Sequence, residues 1–127
     1  GLHRAARDYR GLMAAMEDCL FCKIVAGDVP GEIVHTTERT VAFRDINGQA
    51  PLHVLVVPRD HYVNAAELAM GDPETSAELI RSAHAVAAAD GYDDYRLVFN
   101  TGAGAGQSVF HTHLHVIAGR ALSWPPG

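Results

Sequence analysis

The sequence is poor in cationic side chains, in cysteine and in long apolar runs. Its 127 residues hold 10 Lys and Arg against 15 Asp and Glu, a net charge of −5. That balance argues against a nucleic-acid surface, because phosphate-backbone binding needs clustered cations. No apolar run approaches the roughly 18 residues that cross a bilayer, and no charged-then-apolar leader is evident. We therefore expect a cytoplasmic protein with no nucleic-acid or membrane partner.

The cysteines are limited to one pair, Cys19 and Cys22. One Cys-x-x-Cys is no disulfide framework for a small secreted protein. Its residues alone leave three interpretations open: a redox-active pair, half of a metal site, or incidental packing. Histidine, in contrast, is abundant, with eight residues. It is the side chain best suited to proton transfer and metal binding near neutral pH.

The apolar patterns predict an α+β domain on a mostly antiparallel five-stranded sheet, with one long helix and a short N-terminal helix. The long helix is predicted to open at its cap Asp72 and to end at Asp90-Gly91, with an apolar stripe that includes Leu79 and Ile80. We expect residues 1–17 to form an extension and residues 18–127 the domain. The predicted strands are 33–36, 40–44, 53–57, 95–99 and 112–118.

The chemistry-bearing residues concentrate in the segment 100–115. In an extended strand alternate side chains share a face, so His111, His113 and His115 are expected to project together. Three imidazoles on one face rarely arise from packing alone, since each brings a polar group that must be satisfied. A solvated polar strand face and a three-histidine metal site are the alternatives.

A glycine-rich approach precedes these histidines. Gly102, Gly104 and Gly106 leave the backbone free to approach a ligand and to present N–H groups to an anion, although a plain flexible turn fits the same pattern. Followed by Ser108 and the histidines, the loop favours an attack on phosphorus. An imidazole would be the nucleophile, with amide and imidazole donors on the oxygens and a hydroxyl near the leaving group.

His111-Thr112-His113-Leu114-His115-Val116 resembles the signature of the histidine-triad (HIT) family. Gly106-Gln107-Ser108-Val109 and the tail Trp124-Pro125-Pro126-Gly127 are similar to its Hint branch, the purine nucleoside phosphoramidases. The resemblance runs from about Asp18 to Gly127. It implies a HIT-like fold and a hydrolase that cleaves the P–N bond of purine nucleoside 5′-phosphoramidates or aminoacyl adenylates. Dinucleoside polyphosphate hydrolysis, or nucleotide binding with weak catalysis, are the alternatives.

The resemblance also implies catalytic roles. It makes His113 the nucleophile that forms a nucleotidyl-histidine, with His115 on the phosphate oxygens and Ser108 beside the leaving amine. His53 would be a further active-site histidine, through ligand contact or by supporting the triad.

The implied ligand contacts lie in four other parts of the chain. Asn100 would position the phosphate, Asp45 would hold the ribose, and Gly106 and Gln107 would belong to the phosphate approach. The purine would lie among Phe21, Ile24, Phe43 and Ile46, for which ordinary core packing is the alternative.

Assembly and cofactors follow from the same resemblance. The family implies a homodimer in which Trp124 reaches the neighbouring active site, whereas burial against its own subunit is the alternative. The cysteine pair matches half of a structural zinc site in bacterial-type relatives, completed here by His61 and His111. Hint relatives that lack the cysteines manage without zinc. No organic cofactor is expected.

Overall fold

The computed structural model describes residues 8–127, and residues 1–7, the first part of the predicted extension, lie outside the described range. The described elements are, in chain order, α1 (Tyr9–Glu17), α2 (Leu20–Ala26), β1 (Ile33–Thr36), β2 (Thr40–Arg44), β3 (Leu52–Pro58), α3 (Ala65–Gly71), α4 (Pro73–Ala89), β4 (Arg96–Val98) and β5 (Leu114–Ala118). A single 3₁₀ turn, Ala103–Ala105, lies between β4 and β5.

The strands form one antiparallel sheet in the order β1-β2-β3-β5-β4. The predicted α+β class and five-stranded antiparallel sheet are confirmed. The first two strands have the predicted bounds, whereas β3 is longer and β4 and β5 are shorter than predicted. The fifth strand begins only at Leu114, so His111 and His113 precede it. Strand alternation therefore does not govern all three histidines.

Both faces of the sheet are covered, which explains why β3 is buried along its whole length. Ala42, Val54 and Val116 belong to a core cluster that includes side chains of α4. The alternate residues, among them Phe43 and Leu55, pack with Cys19 and Phe21 around α2. A strand buried on both faces reads as a continuous apolar run, as β3 does.

The long helix α4 begins and ends as predicted. Asp72 accepts a hydrogen bond from the Thr75 amide, Pro73 occupies the first turn, and Asp90 closes the helix before Gly91, whose φ is +80°. One part of the predicted stripe is wrong: Leu79 is fully buried, but Ile80 is 51% exposed. Successive side chains on a helix point in different directions, so Ile80 points away from the sheet although Leu79 faces it.

Two further helices accompany α4 in the domain. The segment around Phe21 forms the helix α2. The helix α3 was missed, although Asn64 caps it by accepting from the Glu67 amide. An N-cap Asn followed three residues later by Glu is the signal that could have found it.

The N-terminal helix α1 buries none of its side chains. With residues 61–63 and α3 it borders a cavity of about 520 Å³. Within the described part of the chain, no helix combines the length and the apolar character needed to span a membrane.

Candidate active site and candidate metal centre

The pairing of β3 with β5 brings two of the predicted histidines together. His115 lies directly opposite Leu55, and His53 is two residues from Leu55 on the same strand. Residues opposite one another share a sheet face, so both imidazoles lie on the face away from α4. The Nε2 atom of His53 is 2.9 Å from Nδ1 of His115.

His113 lies next to this pair and is buried. Its ring centroid is 5.1 Å from that of His115, and Phe21 contacts it edge-on, also with centroids 5.1 Å apart. Nδ1 of His113 lies 2.8 Å from the main-chain oxygen of His111. A carbonyl only accepts, so the proton of the neutral imidazole is on Nδ1 and the lone pair is on Nε2.

Burial also keeps these imidazoles neutral. It lowers the pKa of His113 below its usual 6.5, although the hydrogen bond to the His111 carbonyl and the charge of Asp45 oppose that change. Burial, together with the neighbouring His113 and His53, lowers the pKa of His115 to about 4 against the opposing charge of Asp45. A neutral His113 retains the lone pair that a nucleophile needs.

Asp45, His53 and His115 bring their side chains close enough to one another to suggest a metal site. The hydrogen bonds argue against that interpretation. The main-chain N–H of Gln49 donates to Nδ1 of His53 over 3.0 Å, so the one lone pair of a neutral His53 is already used. Its Nε2, which faces the cluster, therefore carries a proton and is not available to a metal.

The glycine loop is folded differently from the expectation of open amides. The N–H groups of Gly106 and Gln107 donate to Ala103 and Gly102 carbonyls within the 3₁₀ turn, and the Gly102 N–H donates to Gln107 Oε1. The Gly102 and Gly106 amides are therefore engaged within the loop itself, and the expectation that the glycine loop presents N–H groups to an anion stays a prediction. Gly102 and Gly106, at φ +88° and +95°, make the turn possible.

The side chain of Gln107 stabilises this loop through hydrogen bonds. Its side chain is buried and also donates to the main-chain oxygens of Val63 and Val109. With both ends of the amide engaged, the side chain stabilises the loop that leads to Ser108.

The four residues expected around a purine are in different environments. Phe21 and Phe43 are buried core residues in edge-to-face contact at 5.3 Å, and Ile24 packs partly buried beside them. Ile46 is 95% exposed. The two phenylalanines pack in the core, and Phe21 also contacts His113 edge-on. The contact of these four residues with a purine stays a prediction.

Three further expected contact residues lie on accessible parts of the chain. Ser108 is exposed and Asn100 is half-buried; a Cβ at Gly106 would lie 3.8 Å from the Asn100 amide nitrogen. Asn100 thus borders the glycine loop. Trp124 is 82% exposed, so burial against its own subunit is excluded in this chain.

Cys19, Cys22, His61 and His111 converge on one point, as expected from the resemblance. The Sγ atom of Cys19 is 3.3 Å from Nδ1 of His111, and Sγ of Cys22 is 3.3 Å from Nδ1 of His61. The two Nδ1 atoms are 3.2 Å apart. We call these four residues the thiol-imidazole cluster.

The cluster fits a tetrahedral zinc ion. With Zn–N bonds of about 2.0 Å and Zn–S bonds of about 2.3 Å, tetrahedral ligand atoms are separated by roughly 3.3 to 3.8 Å, close to the distances above. His111 also has the correct tautomer, because its Nε2 donates to the Pro58 carbonyl over 2.9 Å and leaves Nδ1 as the ligand atom. Two thiols and two imidazoles form a Cys₂His₂ donor set.

Without a cation, burial penalises charge in this cluster. Burial and the adjacent Cys19 raise the pKa of Cys22 to about 12. Burial lowers the pKa of His111 to about 4, despite its hydrogen bond to Pro58. The fold therefore holds a neutral Cys22 thiol and a neutral His111 imidazole in positions that metal ligands would take.

Sequence reasoning did not identify the Gln49 amide and the Pro58 carbonyl, which orient His53 and His111. Both are main-chain groups. Every residue offers a carbonyl and every residue except proline offers an N–H, so no side-chain pattern could have identified them.

Comparison with known proteins gives the class of this protein. Residues 26–122 match the model of the HIT domain, so the chain belongs to the HIT family. A "14 kDa zinc-binding protein" of Zea mays is 40% identical over 111 residues, covering 85% of this chain and 87% of that protein. An uncharacterized HIT-like protein of Synechocystis is 43% identical over 112 residues, with 87% and 98% covered.

Solved structures give the same family. A HIT family hydrolase from Legionella pneumophila superposes with a TM-score of 0.82 at 43% identity, covering 87% of this chain and all 100% of that one. A HIT family hydrolase from Clostridium thermocellum gives 0.81 at 38% identity, with 84% and 95% covered. The HIT fold expected from the resemblance is confirmed.

Proposed function

We propose that this chain is a nucleotide hydrolase that cleaves the P–N bond of purine nucleoside 5′-phosphoramidates, or the corresponding bond of aminoacyl adenylates. The observation that carries the proposal is the hydrogen bond from His113 Nδ1 to the His111 carbonyl. It leaves the Nε2 lone pair of a neutral imidazole as a nucleophile, with His115 beside it.

The reaction balances as two displacements at phosphorus. Nε2 of His113 attacks the phosphorus, an N–P bond forms to the ring, and the bond to the amine breaks. The amine leaves with a proton, for which the Ser108 hydroxyl is the proposed donor or relay. Water then attacks the phosphorus, returns the electron pair to Nε2, and releases the nucleoside monophosphate.

The proposed intermediate places positive charge on the His113 ring. The carbonyl of His111 accepts the Nδ1–H of that ring and would stabilise the charge. We assign His115 to the phosphate oxygens, Asn100 to the 5′ side of the phosphate, and Asp45 to the ribose hydroxyls. The net charge of −5 does not oppose phosphate binding, because imidazole N–H donors do not enter the charge sum.

The test compares turnover of adenosine 5′-phosphoramidate by wild type, His113→Ala and His84→Ala. His84 is an exposed histidine that hydrogen-bonds Tyr95 outside the site. We expect His113→Ala to retain AMP binding and to lose about a thousandfold or more in kcat, with His84→Ala at the wild-type rate. Faster cleavage of a dinucleoside polyphosphate, or AMP binding without turnover by wild type, would contradict the proposal.

We further propose that the thiol-imidazole cluster binds one structural zinc ion. When bound, zinc would supply a cross-link between α2 and the segments that carry His61 and His111. The distances, the tautomer of His111 and the "zinc-binding" relative support this assignment. Reduced thiols available to a metal also suit a cytoplasmic protein.

We also propose a homodimer in which β4 pairs with its copy. The strand β4 is an edge of the sheet, and an edge strand presents unpaired N–H and C=O groups. Arg96 on this strand holds the tail by donating to the Ser123 carbonyl over 2.9 Å, and the exposed Trp124 follows directly. Light scattering on wild type tests the assembly; a monomer at assay concentration would contradict it.

A further inference from the structure

The loop between β2 and β3 is tied down on both sides of one residue, Gln49. The Arg120 guanidinium, just after β5, donates from Nε to the Gln49 carbonyl over 2.7 Å. On the other side, the Gln49 N–H donates to Nδ1 of His53 over 3.0 Å. The side chain of Gln49 contributes a further bond to the Asn47 carbonyl at 2.7 Å. The orientation of this backbone segment is therefore set by several bonds.

The Gln49 amide determines the tautomer of His53. A main-chain N–H can only donate, so the nitrogen that faces it must carry a lone pair. Nδ1 of His53 is that nitrogen. A neutral His53 consequently carries its proton on Nε2, and a doubly protonated ring would oppose two N–H groups at Nδ1.

The tautomer of His53 in turn determines that of His115. Nε2 of His53 is 2.9 Å from Nδ1 of His115 and 3.4 Å from Oδ2 of Asp45. The shorter distance makes His115 the main acceptor, with the carboxylate as a weaker second one. His115 must then accept at Nδ1 and carry its own proton on Nε2, on the edge of the ring away from His53.

We propose that Gln49, through its main-chain amide, and Arg120, through its hold on Gln49, are positioning residues that fix both tautomers so that His115 offers an N–H to an anionic ligand oxygen. The donor chain runs from Gln49 through His53 to His115 and ends beside His113. With its proton on Nδ1 instead, His115 would direct the Nε2 lone pair toward the ligand, and that lone pair repels a phosphate oxygen. The effect on turnover rests on the function proposed above, whereas the tautomers do not.

The tautomers are read directly from long-range ¹H–¹⁵N spectra of histidine-labelled wild type near neutral pH. We expect Nε2–H for both His53 and His115, and Nδ1–H for His113. A majority Nδ1–H form at either His53 or His115 would overturn the proposal whether or not the protein hydrolyses phosphoramidates. If the spectra show these three tautomers but the protein does not hydrolyse the phosphoramidate, the proposed function is refuted and the tautomer proposal stands.

The amide is tested by comparing Gln49→Pro with Gln49→Ala. Both remove the glutamine side chain, but only proline removes the N–H. We expect mixed tautomers at His53 in Gln49→Pro and wild-type tautomers in Gln49→Ala. The kcat of the proline variant should be about tenfold below that of the alanine variant with a smaller change in KM, because the donor acts mainly on charge that grows in the transition state.

Arg120 provides the second test in case the proline variant does not fold. Arg120→Met keeps the length of the side chain but removes the bond to the Gln49 carbonyl, and Arg120→Lys keeps a donor. We expect Arg120→Met to lose several-fold in kcat and to mix the His53 tautomers, with partial rescue in Arg120→Lys. Unchanged tautomers and unchanged kcat in a folded Arg120→Met would remove Arg120 from the proposal.

Discussion

His113 and His111 are joined by a hydrogen bond in which the Nδ1–H of one donates to the main-chain oxygen of the other over 2.8 Å. The side chain of the same His111 lies in the thiol-imidazole cluster, with its Nδ1 3.3 Å from Cys19 Sγ. One residue therefore contributes its side chain to the candidate metal centre and its backbone to the candidate nucleophile. Substitutions in the cluster are therefore expected to affect the orientation of His113.

The first prediction concerns the dependence of turnover on pH. Burial lowers the pKa of His113 below 6.5 and is the largest cause that lowers that of His115 to about 4, so each ring loses its proton at a lower pH than an exposed imidazole does. Protonation of His113 removes its lone pair. We expect kcat/KM for the phosphoramidate to fall to half of its plateau value only at a pH below 6.5.

The measurement needs a correction for the acid lability of the substrate, so the rate without enzyme is subtracted at each pH. The free-enzyme profile of kcat/KM is the relevant quantity, since it reports groups before substrate binds. Half-loss of kcat/KM at pH 6.5 or above would contradict a nucleophile with a lowered pKa.

The second prediction concerns metal content and stability. Wild type refolded with zinc should hold close to one equivalent, and Cys22→Ser well under half, because the cluster loses one of its four ligands. A ligand at 100 times its Kd stabilises a folded protein by about 2.7 kcal/mol, so removal of zinc should lower the Tm by several degrees or more.

The matched control is His84→Asn, which removes an exposed histidine outside the cluster. Metal analysis and thermal unfolding are read on the same samples, with and without a chelator. An equal zinc content in wild type and Cys22→Ser would show that the cluster does not bind the metal. A wild-type Tm that is the same with and without the chelator would show the same.

The third prediction concerns the cap of α4. Asp72 accepts from the Thr75 amide at 3.1 Å and from its hydroxyl at 2.6 Å, and Arg39 lies 3.6 Å away. The Thr75 side chain, with contributions from the Thr75 amide and Arg39, lowers the pKa of Asp72 below 3.8. Asp72→Ala should lower the free energy of unfolding by about 1 kcal/mol at neutral pH.

The sign of the pH dependence follows from the lowered pKa. The ionised carboxylate stabilises the fold above the ordinary pKa of 3.8, and that stabilisation is lost as the pH falls through the lower value in the folded state. Denaturant unfolding of wild type and Asp72→Ala should therefore converge in acid. Asp93→Ala, at an exposed position after α4, is the control; an equal loss in both variants would rule out capping.

The success at α4 shows which parts of the fold a sequence pattern can predict. Asp72 and Gly91 have local requirements, a side-chain acceptor at one helix end and a positive φ at the other, and both are visible in the residue types. Leu79 and Ile80 show the limit. Both are apolar and adjacent, but only the docking angle of the helix on the sheet decides that Leu79 is buried and Ile80 half exposed.

The candidate site shows the same division. The histidines that carry the chemistry were evident from their spacing, but their separate surroundings were not. His111 leaves the strand pattern and turns into the thiol-imidazole cluster, while His115 follows the strand. The Gly102 amide bonds to the side chain of Gln107, and the Gly106 amide bonds within the 3₁₀ turn. The Gln107 side chain also donates to the Val63 carbonyl, 44 positions away, and such bonds to main-chain groups leave no pattern in the sequence.

The alternation along β2 determines where Arg44 points. Arg44 follows Phe43, so it points to the opposite face of the sheet and pairs with Glu32 and, at 3.8 Å, with Asp90. It is thus directed away from the face that carries the imidazoles.

The thiol-imidazole cluster has a consequence for the order of folding. Cys19 and His111 are separated by 92 positions, whereas Cys19 and Cys22 are neighbours along the chain. The unfolded chain offers a metal only the local pair, and the four ligands meet after the sheet has brought distant segments together. Contacts that form after the rate-limiting step of folding slow unfolding and leave the folding rate nearly unchanged. A metal ion in this cluster would therefore lengthen the lifetime of the native state far more than it would speed its formation.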